Sequence, residues 1–390
     1  MRLPPTPIRR YTNGGTGPHA LNFKGRATAD GLDFKEDSNM KAAVFEATKK
    51  PLVVKNVPDP ECAPNAAIIK TAANGICRSD WHAWSGDWTW MGLAAQPGAI
   101  LGHEFCGTVI ETGKEVKNFK KGDRVVVPFS QGDGTCEYCR NGQSNVCLNA
   151  SLPGFSYPGG FGSVVAVPVA DMNLVALPES IDFVEAAGMG CRFMTSYHGV
   201  VDRAQVRPGE WVAVFGCGGI GLAAINIAAA CGANVIGVDL DSAKLELAKG
   251  VGAAHIVNAK KTDPVQAVLD ITKGGAHVSV DALGIATTCR NGIMSLRKQG
   301  RHLQIGLTTT AEKGEIAFPV DRMVTMELQV IATLGMQASH YPGMLQMVES
   351  GKVSPKAMVT GTCDLAGINK IFEEMNTFQN VGVTVCNNYN

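Results

Sequence analysis

The chain has few charged residues and no surplus of either sign. Charged side chains make up 18% of its 390 residues, and 35 basic residues balance 35 acidic ones. A face that neutralises nucleic-acid phosphates or anionic lipids needs clustered Lys and Arg, and this composition does not favour one. We therefore expect neither nucleic acid nor a membrane surface as a partner.

The N-terminal region also lacks the apolar run, about 7 to 15 residues long, of a secretory signal. The twelve cysteines are therefore expected to be thiols in a reducing compartment, which favours a cytoplasmic location. The uncharged stretch 211–238 is long enough to span a bilayer. Its β-branched runs on either side of a glycine cluster and an Ala/Ile-rich segment predict instead a buried strand, turn, helix and second strand.

The pattern of the chain divides it into regions, and its length gives room for two cores. Residues 1–39 are rich in Pro, Gly, Asn and charge, and we expect a disordered extension or sequence upstream of the true start codon. Residues 40–185 contain short apolar strands between Gly, Pro and Asp turns, which predicts an all-β domain. Residues 186–325 alternate strand and helix, which predicts a doubly wound parallel sheet. Residues 326–390 are mixed and are expected to complete the first domain.

The sequence Gly-Cys-Gly-Gly-Ile-Gly at 216–221 has the spacing of a dinucleotide-binding turn. A strand-like run precedes it at 211–215, an apolar helix-like run follows, and a second strand-like run ends at Asp239. That order favours a bound dinucleotide over a strand-to-helix turn without a ligand. Asp239 can accept hydrogen bonds from both ribose hydroxyls and would repel a 2′-phosphate, which favours NAD over NADP.

The glycines of this turn have separate predicted roles. Gly216 makes the turn, Gly218 lets the backbone approach the pyrophosphate, and Gly221 lets the helix lie close to the strand. Gly219 and Ile220 complete the predicted cofactor-binding segment, where free N–H groups at the start of the helix face the phosphates.

A second cluster of chemistry-bearing residues is the cysteine lobe, which we define as Asp133, Cys136, Cys139 and Cys147. Its three cysteines lie on a glycine-flanked loop at a spacing that can wrap one tetrahedral zinc ion, and a closed structural site needs a fourth ligand. Asp133 precedes Cys136 by the same step as in Cys-x-x-Cys, and its carboxylate is the predicted fourth ligand. The alternatives are a redox Cys-x-x-Cys pair and a lobe without metal. A redox pair would leave the third cysteine and the turn glycines without a role.

Several motifs occur in a fixed order from residue 40 to near the C-terminus. They are Gly-Ile-Cys-Arg-Ser-Asp-Trp-His (75–82), Gly-His-Glu-Phe-Cys-Gly (102–107), Gly-Asp-Arg-Val (122–125), the cysteine lobe, Gly-Cys (190–191) and the glycine turn. Together they resemble those of the zinc-dependent medium-chain alcohol dehydrogenases. The resemblance implies an α/β plus β fold, in which a Rossmann domain with a doubly wound parallel sheet is inserted into a mostly-β GroES-like catalytic domain. It also implies a catalytic zinc on Cys77, His103 and Cys191, and a homo-oligomer, either a tetramer or a dimer.

The chemistry implied by the resemblance is reversible hydride transfer between a small alcohol or carbonyl compound and NAD. A zinc ion on two thiolates and one imidazole, with an open fourth position, polarises the alcohol oxygen or the carbonyl. The proton then needs a route out of a closed site. Ser79 and His82 provide one through the cofactor ribose, at positions that match the relay of the family. With the cysteine lobe, two zinc ions per chain are expected.

Four further residues receive roles from the same resemblance. Asp80 and Glu104 match acids near the zinc that orient its ligands or tune the charge of the site. Arg78 is expected to reach the pyrophosphate, and Lys244 the adenine ribose.

Two positions depart from the pattern of the family. Asp133 stands where a cysteine is usual in the lobe. Val383 stands where an arginine usually helps to hold the pyrophosphate, so cofactor binding is expected to rest more on Arg78 and the amides of the turn.

Four of the five tryptophans lie within 81–90, beside the predicted relay. Aromatic clusters more often pack a domain than line a pocket. We nevertheless predict that Trp81 or Trp90 walls the substrate cleft and favours an apolar or aromatic alcohol. His198 and His302 receive no functional role.

Two other functions are compatible with parts of this pattern. A zinc-free NADPH quinone or enoyl reductase on the same fold is opposed by the three catalytic ligands and by Asp239. A non-catalytic binding protein is opposed by the intact relay. The predicted function is thus an NAD- and zinc-dependent alcohol dehydrogenase.

Overall fold

The computed structural model describes residues 39–390, so the prediction of a disordered extension over 1–39 lies, apart from Asn39, outside the described residues. The first part of the described chain is mostly strand. Its elements are β1 (Asn39–Val44), β2 (Val53–Pro58), β3 (Ala67–Gly75), α1 (Arg78–Ser85), β4 (Phe105–Thr112), β5 (Arg124–Val126), α2 (Glu137–Arg140), β6 (Val164–Val167), α3 (Ala170–Asn173), β7 (Val175–Ala176) and α4 (Phe183–Gly188).

The second part alternates helix and strand. Its elements are α5 (Cys191–Tyr197), a π-helical turn (His198–Arg203), β8 (Trp211–Phe215), α6 (Gly219–Ala230), β9 (Asn234–Asp239), α7 (Ser242–Gly250), β10 (His255–Asn258), α8 (Pro264–Thr272), β11 (Ala276–Asp281), α9 (Ala286–Met294), β12 (Leu296–Gln304), α10 (Val320–Thr325) and β13 (Gln329–Ala332). The C-terminal elements are α11 (Tyr341–Glu349), β14 (Val359–Asp364), α12 (Ile368–Asn376) and β15 (Val383–Asn388). Short 3₁₀ turns lie at Thr89–Met91, Ser144–Val146, Ala338–His340 and Pro355–Met358.

The strands form two large sheets. One has the order β14-β15-β3-β4-β5-β7, with β6 also on β3, and the other has the order β10-β9-β8-β11-β12-β13 with every pairing parallel. Helices cover the parallel sheet, and Val212, Val214 and Phe215 of its central strand are buried. The predicted combination of a mostly-β domain and a doubly wound parallel sheet is confirmed.

The chain crosses between the two sheets more than once. β15 pairs with β3 through Val385–Gly75, so the end of the chain returns to the first sheet. β13 pairs with β12 and extends the parallel sheet past residue 325, where the sequence pattern placed its end. The stretch 211–238 forms β8, α6 and most of β9, as predicted. Within residues 39–390, no helix combines the length and the apolar character that crossing a bilayer requires.

The order of the parallel strands places a ligand site at one point. β9 and β10 follow β8 on one side, whereas β11 and β12 lie on its other side. Ligands of such sheets bind at the carboxyl ends of the strands where the order reverses. Gly216 follows β8 at that point.

Candidate active site

The glycine turn after β8 has the geometry that its spacing predicts. Gly216 has a φ of +93°, a left-handed conformation that disfavours any side chain. A Cβ on Gly221 would collide with the carbonyl oxygen of Gly216, which explains why the helix can lie this close to the strand. A Cβ on Gly218 would meet nothing within 4 Å, so the backbone is open on the side where a pyrophosphate would approach.

The carboxylate of Asp239 lies beside this turn at the end of β9. Its Oδ2 accepts a hydrogen bond from the Cys217 backbone N–H at 2.7 Å, and its Oδ1 accepts one from the Asp241 N–H at 2.9 Å. Each oxygen keeps a lone pair for a further donor. The carboxylate is thus held in place and can still accept hydrogen bonds from a ribose.

The two cations predicted to bind the cofactor make their polar contacts with one C-terminal segment. The Arg78 guanidinium donates to the Met375 carbonyl at 3.1 Å and lies 4.4 Å from the Trp81 ring centroid and 4.0 Å from that of Phe378. Lys244 Nζ donates to the Phe378 carbonyl at 2.8 Å. This segment therefore joins the β-domain to the α7 end of the nucleotide site.

The three scattered ligands converge from separate elements. Cys77 caps the start of α1, His103 precedes β4, and Cys191 begins α5. Ligand atoms of these residues and of Glu104 all lie within 4.8 Å of one another. The hydrogen bond from the Cys191 thiol lowers the pKa of Cys77, against the effect of burial, so the cluster can carry a thiolate.

The imidazole of His103 fits a metal at this point. Its Nδ1 lies 2.8 Å from Asp80 Oδ1, while its Nε2 is buried and has no hydrogen-bond partner. A buried polar atom without a partner calls for an explanation, and a metal ion is one. A carboxylate on Nδ1 and a free lone pair on Nε2 are typical of a zinc-binding histidine.

Asp80 holds the two ligand-bearing segments together. Besides His103, its Oδ1 accepts the Gly102 N–H at 3.0 Å, and its Oδ2 accepts the Cys77 N–H at 3.2 Å. The carboxylate is fully buried, so these bonds are shielded from water. The structure thus brings Asp80 to the position expected of an acid that orients zinc ligands.

Glu104 forms a buried ion pair with Arg192, a residue that was not selected from the sequence. Its Oε1 accepts from the Arg192 backbone N–H at 3.2 Å and from Arg192 Nε at 3.0 Å, while its Oε2 contacts Arg192 Nη2. Burial raises the pKa of Glu104 to about 7, against the charge of Arg192. A lone arginine in the apolar run 186–194 was the available signal, since a buried guanidinium needs an acid.

Three glycines make room for this ion pair. A Cβ on Gly75 would overlap Glu104 and Arg192, one on Gly190 would overlap Glu104, and one on Gly219 would overlap the Arg192 side chain. Gly219 is the first residue of α6. The Glu104–Arg192 pair therefore connects the cluster of Cys77, His103 and Cys191 to the start of α6.

The two predicted relay residues both belong to α1, three positions apart. Ser79 Oγ is 3.8 Å from Cys77 Sγ. His82 is buried, its Nδ1 lies 2.6 Å from Asp87 Oδ2, and its ring stacks on Trp88 at 4.3 Å. Both are described residues, and no hydrogen bond joins them, so a proton that passes between them needs an intermediate group. Asp87 was not selected from the sequence.

The burial of His82 predicts an acid-sensitive fold. Burial and the charge of Arg78 lower the pKa of His82 to about 4, whereas an unfolded histidine titrates near 6.5. The unfolded chain then binds more protons between these values, so stability falls as pH falls through that window. We expect the free energy of unfolding to drop by about 2 kcal/mol between pH 7 and pH 5 on this account.

Urea unfolding across that pH range measures the effect. His82→Gln should remove this part of the pH dependence, whereas His255→Gln, at an exposed histidine of β10, should keep it. Equal slopes in the parent and His82→Gln would contradict the assignment.

The aromatic rings around the cluster of Cys77, His103 and Cys191 include two that were not predicted. Phe129 and Phe155 contact the His103 ring edge-on, with centroids 5.7 and 5.8 Å away. Trp81 is half-buried and donates from Nε1 to Asn376 Oδ1 at 2.9 Å, and the buried Nε1 of Trp90 has no partner. Trp84 and Trp88 pack in the interior and donate to the Lys50 and Thr308 carbonyls.

The cysteine lobe has the dimensions of a tetrahedral zinc cage. Cys136 Sγ lies 3.6 Å from Cys139 Sγ and 3.7 Å from Cys147 Sγ. Asp133 Oδ1 lies 3.4 Å from Cys147 Sγ and 4.0 Å from Cys139 Sγ. Zinc–sulfur bonds of about 2.3 Å place tetrahedral sulfurs about 3.8 Å apart, so the four atoms fit around one ion.

The charges of the lobe also fit a metal. Hydrogen bonds from the Thr135 N–H and Oγ1 and from Asn149 Nδ2 lower the pKa of Asp133, so it is an ionised ligand with a fixed orientation. Backbone N–H groups lower the pKa of Cys136 to about 7. These supporting polar groups were not predicted from the sequence.

Comparison with known families and proteins agrees with this geometry. Two family models match, the alcohol dehydrogenase GroES-like domain at residues 63–179 and the zinc-binding dehydrogenase at residues 219–350. An alcohol dehydrogenase of Geobacillus stearothermophilus is 34% identical over 337 residues, which cover 86% of this chain and 95% of the relative. An NAD-dependent alcohol dehydrogenase of Sulfurisphaera tokodaii is 33% identical over 350 residues, which cover 88% of this chain and 98% of the relative.

Solved structures show the same similarity. The alcohol dehydrogenase TADH from Thermus sp. ATN1 superposes with a TM-score of 0.81 at 29% identity, over 89% of this chain and 99% of the other. The alcohol dehydrogenase of the archaeon Aeropyrum pernix gives a TM-score of 0.80 at 30% identity over the same shares.

Proposed function

Because the chain belongs to the zinc-dependent medium-chain alcohol dehydrogenase family, we propose that it transfers a hydride between an alcohol and NAD at a zinc ion held by Cys77, His103 and Cys191. The observation that supports this proposal most strongly is the buried Nε2 of His103, which has no hydrogen-bond partner and lies close to two cysteine thiols. The glycine turn supports a bound dinucleotide beside that cluster, because Gly219 of the turn packs against the Arg192 side chain. The family favours this reading over a zinc-free quinone or enoyl reductase and over a non-catalytic protein.

The residues of the chain divide the work at this site. When bound, zinc would act as a Lewis acid on the oxygen of the alcohol or carbonyl, and the nicotinamide would accept or return the hydride. Asp80 keeps a proton on His103 Nδ1 and so presents the Nε2 lone pair to the metal. Burial of Asp80, His103 and Glu104 excludes water from the groups that hold the ligands in place.

Ser79 and His82 move the proton in this proposal. Ser79 Oγ, 3.8 Å from Cys77 Sγ, would accept the proton of the alcohol while it gives up its own, and the His82 imidazole would pass a proton on to water. Ser79→Ala is expected to lower kcat by about 10²-fold or more, in the range of a lost general acid–base group. Steady-state kinetics with Ser79→Thr as the control should show activity close to that of the parent. A Ser79→Ala variant with parental kcat would contradict the relay.

The proposed cofactor is NAD and the proposed substrates are apolar or aromatic alcohols. Asp239 supports NAD because its carboxylate lies beside the turn, where a 2′-phosphate would meet a like charge. Phe129 and Phe155, which contact the His103 ring edge-on, support an apolar cleft, and Trp81 and Trp90 are proposed as its further walls.

The test is NADH formation across primary, secondary, aromatic and polyol alcohols, run beside NADP and repeated with Trp81 and Trp90 replaced singly. Higher activity with NADP than with NAD would contradict the proposed role of Asp239. Unchanged substrate preference in both variants would show that neither Trp81 nor Trp90 lines the substrate cleft.

The cysteine lobe is proposed to hold a structural zinc completed by Asp133. Asp133→Ala is expected to lower the zinc content by one ion per chain, because three thiols leave the tetrahedral cage open. Elemental analysis of the purified protein measures this. Glu137→Ala, the removal of an exposed acid at the start of α2, is the control and should keep the parental zinc content. An Asp133→Ala protein with the parental zinc content would rule out a zinc ion completed by Asp133.

We also propose that the protein is a cytoplasmic homo-oligomer. Exposed apolar side chains cluster around α10 and the edge strand β13, where an unpaired strand edge can join a second copy. They are Phe318, Val320, Val324, Val330 and Leu334. Light scattering after size exclusion tests this, and Val324→Lys should shift the mass toward a monomer.

A further inference from the structure

A third group of metal-ligating side chains lies outside both zinc sites. His198 and Asp202 belong to the π-helical turn that continues α5, and His340 ends the 3₁₀ turn before α11. Asp202 Oδ2 lies 2.7 Å from His198 Nδ1 and 2.9 Å from His340 Nδ1. One ligand atom from each of the three residues lies within 4.8 Å of the other two. Two imidazoles thus converge on one carboxylate oxygen.

The surroundings allow an ion to reach this group. The side chain of His198 is 11% exposed, that of Asp202 26% and that of His340 43%. The exposed imidazole leaves an open side through which a hydrated cation can enter and keep water as its remaining ligands.

The backbone holds the three residues in place without a metal. A π-helical turn interrupts the regular helix where His198 and Asp202 lie, and such turns occur often at functional sites. Tyr341, next to His340, is buried, and its hydroxyl lies 2.7 Å from Met194 Sδ of α5. Both segments are therefore fixed relative to each other, as a preorganised site requires.

We propose that His198, Asp202 and His340 form a further metal site, for a zinc-class divalent cation. Two imidazoles and one carboxylate suit zinc, cobalt or nickel, whereas magnesium and calcium prefer oxygen ligands alone. The site contains no thiolate, which separates it from the cysteine lobe and from the cluster of Cys77. A bound ion would tie the helix that begins at Cys191 to the segment before α11.

The test counts metal ions by equilibrium dialysis of the full chain against Zn²⁺. His340→Ala and Asp202→Asn should each bind one ion fewer than the parent, or bind it at least about 10-fold more weakly, since even losing a group behind a ligand costs that much. His255→Ala, which removes a histidine outside the group, should bind as many ions as the parent. His340 is exposed, so its removal should leave the fold intact, which circular dichroism checks.

Cobalt identifies the ligands of the ion in question. In Co²⁺-substituted protein, the ion lost from His340→Ala should contribute visible d–d absorption and no thiolate charge-transfer band, because no cysteine touches it. Equal ion counts in the parent, His340→Ala and Asp202→Asn would overturn the proposal, and so would the loss of a thiolate band. Both readouts are independent of enzyme activity, so they stand apart from the proposed reaction.

Discussion

Replacing Cys77 with serine is expected to reduce kcat/KM for an alcohol by about 10³-fold or more and to remove one zinc ion per chain. A Lewis acid is worth several kcal/mol to such a reaction, and each 1.36 kcal/mol is about a factor of ten. The change spares the local fold. Cys77 caps α1, its N–H binds Asp80 Oδ2, and serine is a favoured residue at the first cap of a helix.

The matched control for this variant is Cys62→Ser. Its thiol donates weak hydrogen bonds to the Ala66 carbonyl at 3.6 Å and to the Ala63 carbonyl at 3.9 Å, away from both cysteine clusters. The control should keep the parental zinc content and kcat/KM within about twofold. A Cys77→Ser protein that retains all its zinc and activity would show that the metal does not bind at this cluster.

The parts of the site that could be predicted from the sequence are those fixed by residue type and local spacing. The Cys-x-x-Cys step of the lobe and the turn at 216–221 each concentrate their chemistry within a few residues, and the structure gives both the geometry they require. Cys77, His103 and Cys191 are far apart in the chain, and their grouping followed from the resemblance. The structure brings them together on three separate elements.

The parts that could not be predicted depend on contacts between distant segments. Arg192 meets Glu104 across 88 positions, and Trp88 donates to Thr308 across 220. Neither contact leaves a local pattern beyond a charged or aromatic residue in an apolar run. His198, which received no functional role from the sequence, meets His340 through Asp202 for the same reason.

The fold shows the same division. Strand–helix alternation predicts the parallel sheet because apolar strands buried on both faces read as continuous runs. The last strand of the parallel sheet, β13, is different. It lies at the edge of that sheet, three of its four residues are exposed, and its short Gln-Val-Ile-Ala sequence gives no continuous apolar run. The predicted boundary at 325 therefore falls before it.

Arg192→Met is expected to destabilise the protein by about 3 to 5 kcal/mol, as measured by urea unfolding of the zinc-loaded chain. Both side chains of the Glu104–Arg192 pair are buried, at 1% and 9% exposure. Removing the guanidinium leaves a buried carboxylate without its counter-charge, and such losses exceed the value of the pair itself. Methionine keeps an unbranched chain against Gly219, so the start of α6 remains covered.

A double variant distinguishes the loss of charge compensation from a simple loss of packing. Adding Glu104→Gln to Arg192→Met removes the uncompensated charge, so the double variant should recover a large part of the lost stability. An exposed pair provides the comparison: Glu179 is 89% exposed beside Arg124, and Glu179→Gln should cost less than about 1 kcal/mol. If the double variant is no more stable than Arg192→Met, the loss comes from the missing contacts with Gly219 and Gly75. The Glu104–Arg192 pair would then connect the proposed zinc and nucleotide sites through packing contacts and not through its charges.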